Sequence, residues 1–484
     1  MADSERRTIS VRDPRTGAVD FALTVATAED VAQKAATLRA NQVAWGAKSL
    51  AERIGVMQRF LGEVARRKDA IAEADAADTG GCHTSYLQGF ITMGNIGGWI
   101  EDAQAALDKA SYEGPSRAVP SVTVRTQFVP YPLVSVIGPW NAPMMLVLLD
   151  AIPALFAGCA VLIKASEVTP RWVEALFEAV AQVPELAGVF DYVHGDGSTG
   201  QAMIDASDLV CFTGSVPTGR KIAVQCAQRL IPCYLELGGK DPVIVTADAD
   251  LERASTAVLR GAVHANGMVC FSVERIYVHE SIHDAFVALL VEKAGKVRLN
   301  CDNPRAGHLH PFTFAPQAQI VAKQIEEAVA KGATVLTGGK VEEIGGGLYM
   351  RPTVITGVNH DMALMKDETF GPILPVMPFS TVEEAIALAN DTAFGLTANV
   401  IAGSEAEALA IGQQINAGSV FMQDTFLTFA KNRTVGSNSF GVSGVGGGSR
   451  TGPEAILRYV RRKALLTQHG EPADIQNDHH LGQH

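Results

Sequence analysis

The sequence predicts an α/β protein with a doubly wound, mostly parallel sheet and a second α/β unit after it. Three observations carry this expectation. From Val134 onward, short apolar runs alternate with helix-like segments. The chain has 484 residues, too many for one compact core. Hydrophobic residues make up 47% and charged residues 19%, the balance of a folded chain and not of a disordered one.

The elements follow in chain order. Ala28–Gln42, Ala51–Ala77 and Tyr86–Ala106 carry apolar residues at three- and four-residue spacing, which predicts amphipathic helices. Between Ser111 and Pro130, Val122, Val124 and Phe128 alternate with polar residues, the pattern of an exposed strand pair or arm. Val134–Ile137, Ala160–Ile163, Tyr192–Val193, Leu209–Phe212 and Tyr234–Leu235 predict buried strands. Met144–Phe156, Arg171–Ala181, Gly200–Ala206 and Thr218–Gln228 predict the helices between them. The alternation resumes at Val243–Val245 and runs to about Phe421. Val435–Gly448 is glycine-rich and predicts a loop, Arg458–Thr467 a closing strand, and Gly470–His484 a polar tail. Pro143–Ile163 is almost wholly apolar. Asp150, Pro153 and Gly158 interrupt it, so it reads as a helix followed by a buried strand and not as a membrane span.

Lys plus Arg total 40 against 52 Asp plus Glu, a net charge of −12. That balance argues against a general nucleic-acid binder, which needs a basic face, and favours a small-molecule partner. Seven cysteines, odd in number and without a CxxC or Cys/His cluster, predict neither a disulfide framework nor a metal site. Met1–Arg7 lacks the apolar stretch of a signal peptide, so the expectation is a soluble, cytoplasmic protein. The tail histidines His479, His480 and His484 read as solvated, and His308 and His310 as surface residues of a loop.

Two glycine patterns compete for a phosphate. Gly195–Gly200 spells GxGxxG after a predicted strand, but the acid expected about twenty residues on is missing. Phe212–Gly219 also joins a strand to a helix, with Ser215 placed as an N-cap and free backbone N–H groups behind it. Each could equally be an ordinary turn or cap. Cys270 follows Gly267 in a connecting turn, where substrate could reach a nucleophile, although cysteines such as Cys159, Cys211 and Cys233 in apolar runs are usually inert. Glu236 ends an apolar strand at the edge where ligand crevices form; it is a candidate base, or a partner of Lys240.

Taken together, Pro139–Pro143, Lys164–Pro170, Phe212–Gly219, Glu236–Lys240, Gly267–Cys270 and Glu368–Pro372 resemble, in order, the aldehyde dehydrogenase superfamily. The 34-residue step from Glu236 to Cys270 is similar too, and the resemblance spans about Val19 to Lys463. It implies an NAD(P)-dependent enzyme of the hydrolytic, non-CoA-acylating type, since that reading needs a base at Glu236. Cys270 resembles the nucleophile, Asn141 the oxyanion donor and Glu236 the base. Lys164 and Glu167 resemble the ribose-binding pair, and Glu167 should disfavour a 2′-phosphate, so NAD is expected over NADP. Ser215 and Trp140 resemble the pyrophosphate contacts, Glu368 the nicotinamide-ribose ligand, and Phe370 a residue packed nearby. Ile137, Pro139, Gly197, Phe212, Gly214, Gly219 and Leu237 complete the expected cofactor set.

Ala142, Met145, Leu149, Val269 and Phe271 are expected to line the substrate funnel; all are apolar and no cation is expected there, so the inferred substrate is an aromatic or medium-chain aliphatic aldehyde. Met268, Val420–Asp424 and Gly441–Gly448 depart from the family pattern and are expected at the funnel or its walls. The implied fold is a Rossmann-like dinucleotide-binding domain (1–110 and 131–237), an α/β catalytic domain (238–440), an oligomerisation arm of strands (111–130 and 455–470) and a polar tail (471–484). The arm implies a homodimer or homotetramer. Two rivals remain: a cysteine hydrolase pairing Cys270 with a histidine such as His264, and an idle family member kept for binding.

Overall fold

The structure is a computed structural model that describes residues 6–472 and 474–475. The expected features at Met1–Glu5 and at the tail histidines lie outside the described residues.

After an antiparallel pair, Thr8–Arg12 with Val19–Thr24, come three long helices, Ala28–Ala47, Leu50–Thr79 and Cys82–Ala110. The first two start on capping boxes, where Thr27 and Ser49 exchange hydrogen bonds with Asp30 and Glu52 three residues on. The second ends on Gly80 in the left-handed region (φ 75°), so a side chain there would be strained.

The first sheet has six strands. Leu133–Ile137 lies at its centre between Ala160–Lys164 and Leu209–Thr213. Phe190–Tyr192 flanks one side and Cys233–Glu236 the other, all parallel. The three central strands are buried at every residue, as their unbroken apolar runs require of a sheet covered on both faces. The predicted loop at 435–448 contains two short strands. Phe440–Gly441 pairs with Phe394–Gly395, and Gly444–Val445 adds antiparallel beside Cys233–Glu236. Their glycines are closely packed: a Cβ on Gly444 would meet Ser439 Cβ at 2.7 Å, and one on Gly441 would strike the Ala393 carbonyl.

The second sheet has seven strands. Asp241–Val245 and Val273–His279 lie inside it, with Thr397–Ile401, Ser419–Met422, Ile373–Phe379 and Thr353–Thr356 added in parallel. Thr334–Val335 closes one edge antiparallel. A separate three-stranded sheet joins Val460–Gln468 to Val122–Pro130 and Glu113–Pro115. Its outer strand leaves Leu466 64% exposed along an unpaired edge. Among the described residues no helix is long and apolar enough to cross a membrane.

Candidate active site

Cys270 sits on a turn whose backbone is held under tension. Ala265, Asn266 and Gly267 all have positive φ, at 48°, 60° and 68°. Two of them are not glycine, a conformation that surrounding contacts must enforce. Asn266 supplies those contacts: its amide donates to the carbonyls of His310 and Pro311 and its oxygen accepts from His310 N at 3.0 Å. His310 is therefore buried and part of the turn's support, which corrects its reading as a surface residue; His308 is exposed. The loop looked solvated because the partner that buries it lies 44 residues earlier. Gly267 has no room for a side chain, since a Cβ would run into the carbonyl of Gly371.

Asn141 Nδ2 donates to Met268 O at 2.9 Å, which fixes the amide against the cysteine turn. Met268 itself is only 2% exposed and packs in the second sheet's core, so it is not a funnel wall.

Burial pushes the Cys270 thiol up to about 12, and the charges of Asp241, Glu368 and Glu236 add to the shift while Arg450 opposes it. Cys159 and Cys211 are buried as expected, whereas Cys233 is half-buried. His264, the histidine of the hydrolase alternative, packs edge-on against Phe426 at 4.5 Å. Burial and Arg260 lower its pKa to about 4.

Glu236 ends its strand with Oε2 accepting from Ser439 Oγ at 2.9 Å. It does not pair with Lys240. That lysine is fully buried on Glu274 (2.8 Å) and Thr369 (2.9 Å). Glu274 also accepts from the backbone N–H groups of Thr369 and Phe370, both at 2.8 Å. This Lys240–Glu274 clasp holds the Glu368–Phe370 segment in place, and the sequence reading missed it. A lone glutamate inside the apolar Val273–His279 strand was the available signal, because buried acids need partners.

A cleft of about 800 Å³ runs along the first sheet's C-terminal edge to Cys270. Ile137, Pro139, Trp140, Asn141, Lys164, Glu167, Gly197, Phe212, Gly214, Ser215, Leu237, Glu368 and Phe370 line it. Gly219 does not; it is buried, and a Cβ there would meet Leu237 Cδ2 at 2.6 Å. Lys164 Nζ lies 3.2 Å from Glu167 Oε2. Trp140 packs against Phe370 and Phe314 with ring centroids 5.5 and 5.6 Å apart. Glu368 accepts from Gly239 N at 3.1 Å, and burial raises its carboxyl to about 8, with Glu274's charge adding. A side chain at Gly238 would strike that carboxylate.

The two glycine turns differ in what already occupies them. Asp196 caps the Gly197–Ala206 helix through Ser198 N, and Arg7 pairs with it at 2.8 Å. Arg7 holds that carboxyl well below the usual range, so an anion arriving there meets a carboxylate. Ser215 stands at the N-cap position of the Val216–Gln228 helix but makes no side-chain cap; its hydroxyl donates to Thr218 Oγ1 at 3.1 Å. That exposed helix start keeps its positive end open to a ligand.

None of the five expected funnel residues borders the large cleft. Ala142, Met145 and Leu149 lie at the start of, and along one face of, the Pro143–Ala157 helix, all half-buried. Val269 and Phe271 flank the cysteine. Phe271 joins an aromatic cluster with Phe426 (5.7 Å) and Phe429 (6.1 Å), which the sequence reading did not place. It also missed a nearby cation: Lys431 is half-buried, bonded to the hydroxyls of Ser419 and Ser437, and within electrostatic reach of Glu236. The connection carrying these residues has no helical or strand period that could have located them. Among the described residues no group of three or more His, Cys, Asp or Glu is placed to hold a metal ion.

A sequence model described as the aldehyde dehydrogenase family matches residues 1–465. A putative succinate-semialdehyde dehydrogenase [NADP(+)] of Mycolicibacterium smegmatis is 35% identical over 464 residues, 96% of this chain and 89% of that one. The solved structure of a putative aldehyde dehydrogenase, PutA, from Anabaena variabilis has TM-score 0.94 and 44% identity, covering 97% of this chain and 99% of the other. Betaine aldehyde dehydrogenase from Staphylococcus aureus, solved in complex with NAD+, has TM-score 0.91 and 28% identity, covering 98% and 94%. The chain belongs to the aldehyde dehydrogenase family and is an NAD(P)-linked oxidoreductase acting on an aldehyde group.

Proposed function

We propose that this enzyme oxidises an apolar aldehyde, aromatic or medium-chain aliphatic, to the carboxylic acid, with water releasing the product and NAD preferred over NADP. The observation that carries the chemistry is the Asn141 amide held on Met268 O, two residues before Cys270, and lining the same cleft as Cys270, with Glu236 near enough for its charge to act on the thiol. Cys270 Sγ bonds to the carbonyl carbon as the C=O π pair moves onto oxygen and the thiol proton passes to solvent water. Asn141 Nδ2 and the Cys270 N–H then face the oxygen that gains charge. Collapse of this thiohemiacetal expels hydride and leaves a thioester on Cys270. Bound NAD(P) supplies the hydride acceptor. Glu236 takes a proton from water, the water oxygen bonds to the acyl carbon, and the C–S bond breaks to give acid and thiolate.

The cleft fits the cofactor by its shape as well as its donors. A Cβ at Gly214 or Gly238 would push on the Phe212 ring or the Glu368 carboxylate that line the cleft, and the open helix start at Ser215 suits a pyrophosphate. Lys164 and Glu167 would hold the adenine ribose, Ser215 and Trp140 the pyrophosphate, and Glu368 the nicotinamide ribose, with Phe370 packed beside it. Glu167 accepts from a 2′-OH and repels a 2′-phosphate, which supports NAD even though the mycobacterial relative is named for NADP(+).

The apolar substrate reading is supported by the Phe271, Phe426 and Phe429 ring cluster beside Cys270 and by the apolar, half-buried Met145, Leu149 and Val269. NADH absorbance across aromatic, straight-chain, hydroxylated and carboxylated aldehydes tests it. Fastest turnover with apolar members is expected, and a carboxylated winner, such as the substrate named for the relative, would overturn the substrate class alone. The exposed Val460–Gln468 edge supports a homodimer or a tetramer of dimers, in which a second copy's sheet continues this one. We read the domain division as 1–110 with 131–237, then 238–440, with the arm between. The seven free thiols support a reducing, cytoplasmic setting.

A further inference from the structure

We propose that Arg433 is a positioning residue that sets which aldehydes fit. It latches the segment carrying Phe426 and Phe429 onto the Cys82–Ala110 helix, and a bulky aldehyde binds only with that latch released. The inference rests on the reading of this aromatic wall as the substrate side.

The large cleft that reaches Cys270 is the one proposed for the cofactor, so with NAD(P) bound an aldehyde needs another approach. The rings of Phe271, Phe426 and Phe429 pack together beside Cys270, and none of them lines that cleft. Two of these rings belong to segment 424–434, whose two ends are fastened by different means. At the near end Thr425 is buried, its hydroxyl donates to Ala257 O, and Arg260 lies over the Phe426 ring at 4.6 Å. A Cβ on Gly261 would run into Thr425, so this end is tightly packed on the Leu251–Val263 helix. At the far end Arg433 forks onto one carboxylate: Nε donates to Asp102 Oδ2 at 2.6 Å and Nη2 to Asp102 Oδ1 at 3.1 Å. Nη2 also donates to Glu101. Between the ends, Ala430 N donates to Leu427 O at 2.9 Å and Asn432 N to Phe429 O at 3.3 Å. These consecutive turns pass a movement at Arg433 on to the Phe429 ring.

The two ends do not open with equal ease. Thr425 is held by buried contacts and makes the hinge. Arg433 and Glu101 are exposed, and water replaces surface ion pairs at little cost, so the far end makes the latch. Arg433 also has φ 69°, a left-handed conformation that side-chain-bearing residues rarely take, so the closed segment is held against backbone strain. Gly98 leaves room for the arginine: a Cβ there would meet Arg433 Cδ at 2.8 Å. Beneath the latch lies a small cavity walled by Trp99, Leu149, Asn432 and Arg450. It runs from Arg433 to Leu149, one of the residues expected in the funnel, and release of the arginine opens it to solvent. A small aldehyde lets the segment close over it. A bulky one props the segment open and forgoes the latch, a penalty that the small one does not bear.

The test is the ratio of kcat/KM for a bulky apolar aldehyde, naphthaldehyde, to that for a small one, propanal. Arg433→Gly removes the latch and takes φ 69° without strain. Asp102→Asn combined with Glu101→Gln keeps the arginine and removes its partners, and serves if Arg433→Gly does not fold. Both should raise the ratio about threefold, the scale of an exposed ion-pair cluster, with the KM for NAD unchanged. Arg433→Lys, which keeps the charge but not the fork, should lie between wild type and Arg433→Gly. Gly98→Ala, which crowds the arginine, should raise the ratio by less than Arg433→Gly. A ratio unmoved in both latch variants, or a kcat that falls alike for every aldehyde with the ratio fixed, would overturn the proposal. So would a ratio moved by Arg433→Gly and not by the paired acid substitutions, because the arginine would then touch the aldehyde itself. Phe429→Ala with an unchanged ratio would sink the aromatic-wall reading, whatever the latch variants do, so the two failures are told apart.

Discussion

The two sides of Cys270 are built by different means. On the side proposed for the cofactor, close packing does the positioning: a Cβ on Gly239 would strike the Cys270 carbonyl, one on Gly214 or Gly238 would displace the Phe212 ring or the Glu368 carboxylate, and the Lys240–Glu274 clasp holds the Glu368–Phe370 segment. On the side proposed for the substrate, side chains from a long connection do it: Phe426 and Phe429 meet Phe271, and Ser437 and Ser439 carry polar groups to Lys431 and Glu236. The difference teaches where information about function resides. A position defined by the absence of a side chain accepts one residue type, whereas an apolar wall accepts many.

The largest expected effect removes what both sides serve. Cys270→Ala should abolish NADH production from any aldehyde while leaving cofactor affinity, measured by fluorescence titration, near the wild-type value. Retained turnover would mean that another group attacks the carbonyl.

The cofactor side should break next. Gly238→Ala puts a methyl against the Glu368 carboxylate and should raise the KM for NAD at least tenfold. Gly197→Ala meets nothing within 4 Å and should leave that KM nearly unchanged. Equal effects in the two variants would erase the contrast between a crowded turn and an open one. Glu167→Ser removes the carboxylate from the ribose end and should narrow the NAD-to-NADP ratio of kcat/KM. An unchanged ratio would take Glu167 out of the cofactor argument.

The turn that joins the two sides should respond in stability. Asn266→Ala strips the donor from two buried carbonyls and releases a left-handed turn, at a cost of about 1–3 kcal/mol. Thermal unfolding reads this directly; an unshifted midpoint would show that the turn holds itself.

The smallest effect is a pH slope. In the free enzyme the Cys270 thiol, raised to about 12, is the neutral form at pH 7, and its thiolate fraction grows with pH until that value is passed. Alkylation by iodoacetamide should therefore rise about tenfold per pH unit from 7 to 9 without a plateau. A plateau near pH 8 would place the thiol in a less buried setting.

The sequence made the first sheet legible because its strands are continuous apolar runs between helix-like segments, which only a covered parallel sheet explains. It identified the turn at Phe212–Gly219 only through the resemblance. By spelling alone Gly195–Gly200 was the better candidate, and what weakens it is the Asp196–Arg7 pair, set by residues far apart in the chain. His310 and Met268 were illegible for the same reason, since each owes its environment to a partner on another element, whereas Glu274 left a signal as an acid in an apolar strand but not the identity of its partner Lys240. The aromatic wall and Lys431 lie on a connection without periodicity, so no pattern could place them.

The measurement that tests the account most directly is the intact mass of Glu236→Gln after mixing with NAD and a productive aldehyde. The account predicts one equivalent of NADH released in a burst, followed by an acyl adduct that peptide mapping places on Cys270. A burst without adduct, or steady turnover at the wild-type rate, would contradict it.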